Sequence, residues 1–201
     1  MPRVVFEYDP PERFVAGTVG EPGQRTFFLQ ASGNGRTTSV SLEKQQVLVL
    51  AERVEALLDE VVRRSAGEAA VPAVSPSAAE DNAPLESPVE EEFRVGTMAL
   101  AWDPDDEVVV IEAQAVTDGG DGDDDDGGDE GAGGDEQSLL IDEDDENGPP
   151  LLRVRVSGTL ARGFVVRAQA VVSAGRPPCP FCGGPLDVAG HVCPRANGYR
   201  R

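Results

Sequence analysis

The 201-residue chain is poor in the side chains on which most enzymes depend. It has one histidine, one tryptophan, two tyrosines, two methionines and three cysteines, and its single lysine is Lys44. A Ser-His-Asp or Cys-His arrangement needs an imidazole to take the nucleophile's proton, and only one is present. The Gly-x-x-x-x-Gly-Lys-Ser/Thr loop that cradles nucleotide phosphates is missing. No apolar run approaches the roughly eighteen residues needed to span a bilayer. The opening "MPRVVFEYDPPERF" carries Arg3, Glu7 and Asp9 where a signal peptide needs an uninterrupted apolar stretch. Three cysteines cannot all pair with one another, and unpaired thiols suit a reducing compartment. The expectation is a cytoplasmic protein that is not an enzyme and has no membrane partner.

Basic residues are also scarce, 17 against 37 acidic, for a net charge of −20. The imbalance is local. Between Thr117 and Gly148 there are 15 acidic residues and no Lys or Arg, and the remainder holds 22 acidic against 17 basic, a net of −5. Mutual repulsion along a glycine-rich stretch predicts a disordered acidic insertion over 117–149. Its "GGDGDD" (119–124) begins like a calcium-binding nonapeptide, but Asp126 stands where a large apolar residue belongs, and no second copy exists to stack on it. An EF-hand loop starting at Asp121 would need glycine at Asp126 and glutamate at Ala132.

What remains reads as strands and two helices. "RVVFEY" (3–8), "RFVAGTVG" (13–20), "QRTFFLQA" (24–31) and "RTTSVSL" (36–42) are short apolar-rich runs. The first two are separated by a "DPP" turn signal, and the last two flank Asn34-Gly35, a pair suited to a tight hairpin. The period then changes. Val47, Leu50, Ala51, Val54, Leu57, Leu58 and Val61 lie on one helical face, with Ser41 as candidate N-cap and Gly67 beyond the end. Residues 65–92, rich in Ala, Pro, Ser and Glu and interrupted by prolines 72, 76, 84 and 88, predict a disordered linker.

"FRVGTMALAW" (93–102) and "EVVVIEAQAV" (107–116) predict a hairpin, "LLRVRVSG" (151–158) a strand, and Ala161, Phe164, Val165, Ala168, Val171 and Val172 a second amphipathic helix ended by Gly175 and Pro177. A shift of 114 lays Val40, Leu42, Leu50, Ala51, Val54, Leu57 and Leu58 on Val154, Val156, Phe164, Val165, Ala168, Val171 and Val172. This match predicts two repeated strand-strand-strand-helix halves, although any two β-rich segments followed by helices produce similar matches. The expected class is α+β: an antiparallel sheet with two helices packed on it. The expected segments are a first β/α half (1–64), the linker (65–92), a second half holding the acidic insertion (93–175) and a C-terminal module (176–201).

All three cysteines and the only histidine fall in "CPFCGGPLDVAGHVCP" (179–194). Cys179, Cys182, His191 and Cys193 have the spacing Cys-x2-Cys-x8-His-x-Cys, a zinc-knuckle pattern. Three thiolates and one imidazole complete a tetrahedron, with sulfurs about 2.3 Å from the metal. Zn2+ suits sulfur and is redox-inert, and four protein ligands leave no open position, so the site is expected to be structural. A redox dithiol would normally open a helix, which Pro180 and Gly183-Gly184 oppose, and a disulfide would leave the histidine unexplained. Tyr199, Arg195, Arg200 and Arg201 nearby suggest phosphate contacts and base stacking, yet the chain's negative field repels nucleic acid.

The expected function is therefore interaction with another protein. The alternatives are RNA or DNA binding through the tail, or an anionic-ligand binder or enzyme using a cleft between the halves, with Arg25 or Arg36 facing the ligand. "FVAGTVGEPGQRTFFLQA", "LEKQQVLVLAERVEALLDE" and "CPFCGGPLDVAGHVCPRANGYR" together resemble an uncharacterised family of actinobacterial proteins about two hundred residues long. The resemblance implies a cytoplasmic protein with a zinc-binding tail and supplies no activity.

Overall fold

The computed structural model describes residues 2–21, 23–117, 147–175, 179, 181, 182, 193 and 195. Among these residues seven strands form one sheet: β1 (Val5–Tyr8), β2 (Arg13–Val19), β3 (Thr26–Gly33), β4 (Arg36–Leu42), β5 (Glu91–Asp103), β6 (Val108–Ala115) and β7 (Leu151–Ser157). Helix α1 (Lys44–Arg64) follows β4 and helix α2 (Gly158–Ser173) follows β7. The strand order is β1-β7-β6-β5-β4-β3-β2.

Two antiparallel meanders, β2-β3-β4 and β5-β6-β7, are visible in the registers. The expectation of a purely antiparallel sheet needs correction, because β4 runs parallel to β5 and β1 parallel to β7. The cause of the first is α1, which carries the chain back along the sheet before β5 begins, as parallel neighbours require. The second arises because β1 does not pair with β2, its neighbour in sequence, but joins the far edge of the sheet.

That placement bends the sheet. Six inter-strand gaps of about 4.8 Å would separate β1 from β2 by roughly 29 Å in a flat sheet. The chain from Tyr8 to Arg13 has five steps of about 3.8 Å and cannot reach so far. The sheet therefore curls until its ends approach. The Tyr8 and Thr38 hydroxyls share a hydrogen bond of 2.8 Å, Arg36 donates to the Glu7 carbonyl at 2.9 Å, and the Glu12 N–H donates to the Ser32 carbonyl at 2.8 Å. Helix α2 packs on β2 at one end of the order and on β7 and β6 toward the other, and α1 packs on α2 and β5.

The local signals mostly produce the expected elements. Asn34 and Gly35 have φ of 55° and 70°, which gives the β3–β4 hairpin its left-handed two-residue turn. Val47, Leu50, Ala51, Val54, Leu58 and Val61 of α1 and Ala161, Phe164, Val165, Ala168 and Val172 of α2 are buried. They share one core with Phe14, Leu29, Val40, Val95, Ile111 and Val154 from the strands. The rings of Phe14 and Phe164 stack at 4.8 Å. Ser41 is not the cap of α1, since it belongs to β4. Glu43 takes that role, and its N–H donates to the Gln46 side chain at 2.8 Å.

The largest departure from expectation is residues 65–92. Up to residue 90 they form a strap laid against the body, with one short 3-10 turn at Ser77–Ala79, and Glu91 and Glu92 open β5. Three glycines make room for it. A Cβ on Gly158 would come within 2.9 Å of Val71, one on Gly163 within 2.2 Å of the Ala79 carbonyl oxygen, and one on Gly17 within 2.6 Å of Leu85. Polar contacts fix the register. Arg13 donates to both carboxylate oxygens of Asp81, at 2.5 and 3.0 Å, and Arg167 donates to one of them at 3.0 Å. Arg162 joins the Pro72 carbonyl (3.1 Å) to Asp59 of α1 (2.5 Å). The Gln30 amide accepts from the Glu86 N–H at 2.7 Å and donates to its carbonyl at 3.1 Å, while Ser32 and Thr37 hydroxyls donate to the Glu86 carboxylate. Composition alone suggested disorder because these partners are scattered over β2, β3, β4 and α2.

The strap should loosen in acid. The Arg13 hydrogen bonds hold the Asp81 carboxyl below the ordinary range against the opposing effect of burial, and the Thr37 and Ser32 hydroxyls do the same for Glu86. A carboxyl depressed in the folded state adds stability that is complete above its unfolded pKa, near 4, and is lost as pH falls through its lower folded value. Asp81→Asn is expected to remove roughly 1 kcal/mol at neutral pH, the scale of a partly exposed bidentate pair. It should also flatten the fall in stability below pH 4, and urea unfolding between pH 6 and 3 measures both effects.

Candidate metal centre

Beyond α2 the described residues include all three cysteines, none of them in a disulfide. Their sulfurs lie within 4.8 Å of one another, with Cys179 Sγ and Cys193 Sγ 3.8 Å apart. A disulfide would require about 2.05 Å. Two corners of a tetrahedron whose centre is about 2.3 Å from each sulfur lie about 3.8 Å apart. The observed spacing therefore fits two thiolates on one zinc-sized ion. Cys179 and Cys193 are buried and Cys182 is half-buried.

The surroundings favour thiolate. Burial pushes the Cys179 thiol up, but backbone N–H groups of Cys182 and Phe181 and the Cys182 and Cys193 thiols together outweigh it, leaving the group below its ordinary value. The Phe181 N–H donates to Cys179 Sγ at 3.4 Å. Such donors spread the negative charge that several sulfurs on one cation accumulate. Arg195 donates to the Phe181 carbonyl at 3.1 Å, tying the segment after the last cysteine to the turn between the first two. The Phe181 side chain is 63% exposed.

Of the four expected ligands, three converge, and His191 lies outside the described residues, as do Gly183, Gly184, Tyr199, Arg200, Arg201 and the acidic residues 118–146. The two arginines considered for an anionic ligand serve the fold. Arg25 donates to the Ala174 carbonyl. Arg36 bonds the Glu7 carbonyl and lies 5.1 Å from the centre of the Tyr8 ring. Neither lines the large cleft between α1 and β5. Asp103 at the end of β5 and Asp106 in the turn after it are engaged by Arg155 at 2.7 and 2.6 Å.

A buried ion pair escaped the sequence reading. Glu112 on β6 is fully buried and accepts from Arg153, its cross-strand partner on β7, at 2.7 Å. Its signal was a lone acid inside the apolar run "VVVIEAQ", opposite an arginine in "LLRVRV".

Among the described residues, no helix is long and apolar enough to cross a membrane. No curated protein and no solved structure matches the chain significantly. The model of a protein family of unknown function, DUF3090, matches residues 6–193. That span takes in all of the sheet except Val5, both helices and all three clustered cysteines, and the chain belongs to the DUF3090 family.

Proposed function

We propose that this is a non-enzymatic, cytoplasmic interaction protein whose C-terminus is shaped by a structural zinc ion and recognises another protein. Cys179, Cys182 and Cys193 would hold the ion together with His191. The observation that carries the reading is the convergence of three sulfurs within 4.8 Å of one another, two of them 3.8 Å apart, in a chain whose only histidine falls two residues from the last cysteine. With four protein ligands the ion has no vacancy for substrate. Its contribution is a fixed shape for a loop too short to bury a core of its own.

Phe181, an exposed aromatic held between two ligands, is the natural contact residue. The curled sheet would serve as the platform. We read its two β-β-β-α halves as a duplicated unit, because the shift of 114 that aligns their apolar residues also lays β4 on β7 and α1 on α2.

Metal analysis of purified full-length protein should give one zinc per chain. An affinity capture from host extract, repeated with Cys179→Ser/Cys182→Ser, should lose its specific partners in the variant. Absence of bound metal, or identical captured proteins from both chains, would overturn the reading. Capture that depends on RNA and fades with salt would instead assign the tail to nucleic acid.

A further inference from the structure

Strand β5 is thirteen residues long, and its second half is poorly covered. Leu100 and Trp102 pair with Ile111 and Val109 of β6. The β6 residues are completely buried, while Leu100 and Trp102 are only half-buried. The reason lies in how α1 ends. Ala66 and Gly67 take φ of 51° and 84°, and the Gly67 N–H closes on the Val62 carbonyl at 3.0 Å, so the chain turns back before the helix can cover the end of β5. The returning segment is tied across the gap, with the Ala70 N–H donating to the Glu107 carboxylate at 3.3 Å.

The space left open is a cleft of about 970 Å3, with Leu57, Val61, Leu100 and Trp102 among its apolar walls. This is near the upper end of the roughly 300–1,000 Å3 typical of small-molecule sites. It is walled by α1, the turn after it and β5, so it is a built concavity and not a flat apolar face.

The rim decides the ligand's charge. Glu60 and Arg64 are paired with each other at 2.5 Å, and Glu60 also accepts from Arg63 at 3.0 Å. Glu60 is thus engaged by two arginines, and among the described residues the other charged side chains of the lining are Glu68 and Glu107, with no basic side chain paired with either. Trp102 also lines the cleft, and an indole π face attracts cations as carboxylates do.

We propose that this cleft binds an organic cation with an apolar body, an aryl- or alkylamine, whose hydrocarbon part lies on Leu57, Val61, Leu100 and Trp102 and whose ammonium group meets Glu68 and Glu107. An anion would meet Glu68 and Glu107, with Arg64, already held by Glu60, as the basic side chain of the lining among the described residues. This site is separate from the cysteine cluster and does not depend on metal.

Trp102 is the chain's only tryptophan, so its fluorescence reports occupancy directly. The full-length protein is titrated with three matched probes: 4-phenylbutylamine, 4-phenylbutanol and 4-phenylbutyrate. A saturable change with the amine is expected, with the alcohol and the acid about tenfold weaker or worse. Glu68→Gln/Glu107→Gln should weaken the amine by a similar factor and leave the alcohol unchanged, and the second substitution keeps a side-chain oxygen for the Ala70 N–H. Glu52→Gln, exposed on α1 and off the cleft, controls for net charge and should leave all three unchanged. Equal binding of all three probes, preference for the acid, or no saturable change up to millimolar amine would overturn the proposal. So would a response only to a basic peptide, which would make the cleft a protein-docking groove. Unchanged amine binding in Cys179→Ser/Cys182→Ser would show that this result stands apart from the metal reading.

Discussion

Replacing Gly163 with alanine is expected to lower stability by about 2 kcal/mol, within the range seen when a packed site is overfilled. For a chain of this size that corresponds to a fall in Tm of roughly 4–8 °C. Helix propensity predicts the opposite sign, because glycine inside a helix costs about 1 kcal/mol relative to alanine. The difference lies in what the new methyl would meet. Its nearest neighbour is the Ala79 carbonyl oxygen at 2.2 Å, followed by the carbonyl carbon and the Ala79 Cβ at 3.1 and 3.3 Å. Backbone cannot swing aside as the tip of a side chain can, so either the strap lifts or α2 shifts against Phe14. Calorimetry gives the sign. Limited digestion with a glutamate-specific protease shows which part moves, because Glu80 and Glu86 lie in the strap on either side of Asp81. Faster cleavage there without loss of the body's cooperative unfolding would locate the damage in the strap. A Tm raised by the substitution would mean that the seat does not exist.

Those same glycines show where sequence reasoning stopped. Helical and strand periods identified both helices and the strands because each signal lies within the segment it describes: Val47 to Val61 on one face, or Asn34-Gly35 between two runs. The strap's order is encoded elsewhere. Gly17 inside a strand and Gly163 inside a helix are individually costly residues, and such glycines often mark close approach of another backbone. Nothing local says that the approaching chain is residues 71–86. The pairing of β1 with β7 was hidden for the same reason, since Val5 meets Leu151 across most of the sequence. The clustering of the cysteines was legible because their spacing is local and rare, with every cysteine within fifteen residues of the others. The cleft was not legible, since Trp102 reads simply as one more apolar strand residue until α1 is seen to end short of it.

Cys182→Ser should reduce zinc affinity by more than about a hundredfold, the upper end of what losing even an outer hydrogen-bond partner of a ligand costs. A serine hydroxyl stays protonated at neutral pH and offers the ion no thiolate, and the remaining ligands leave one corner of the tetrahedron to water. The body should not notice. The core joining both helices to the sheet contains none of the three cysteines, so far-UV circular dichroism and the main unfolding transition are expected to survive both the substitution and chelation of the wild type. The consequences should instead be confined to the tail. Proteolysis near Arg195 should speed up, because an ion held by Cys179, Cys182 and Cys193 would tie the segment before Arg195 to the Phe181 turn, which Arg195 bonds at 3.1 Å. Competition with a chromophoric chelator measures the affinity, and tail cleavage followed by mass spectrometry measures the release. A chelator that unfolds the whole chain would show the metal to be part of the core's stability, and a serine variant that keeps wild-type affinity would remove Cys182 from the ligand set.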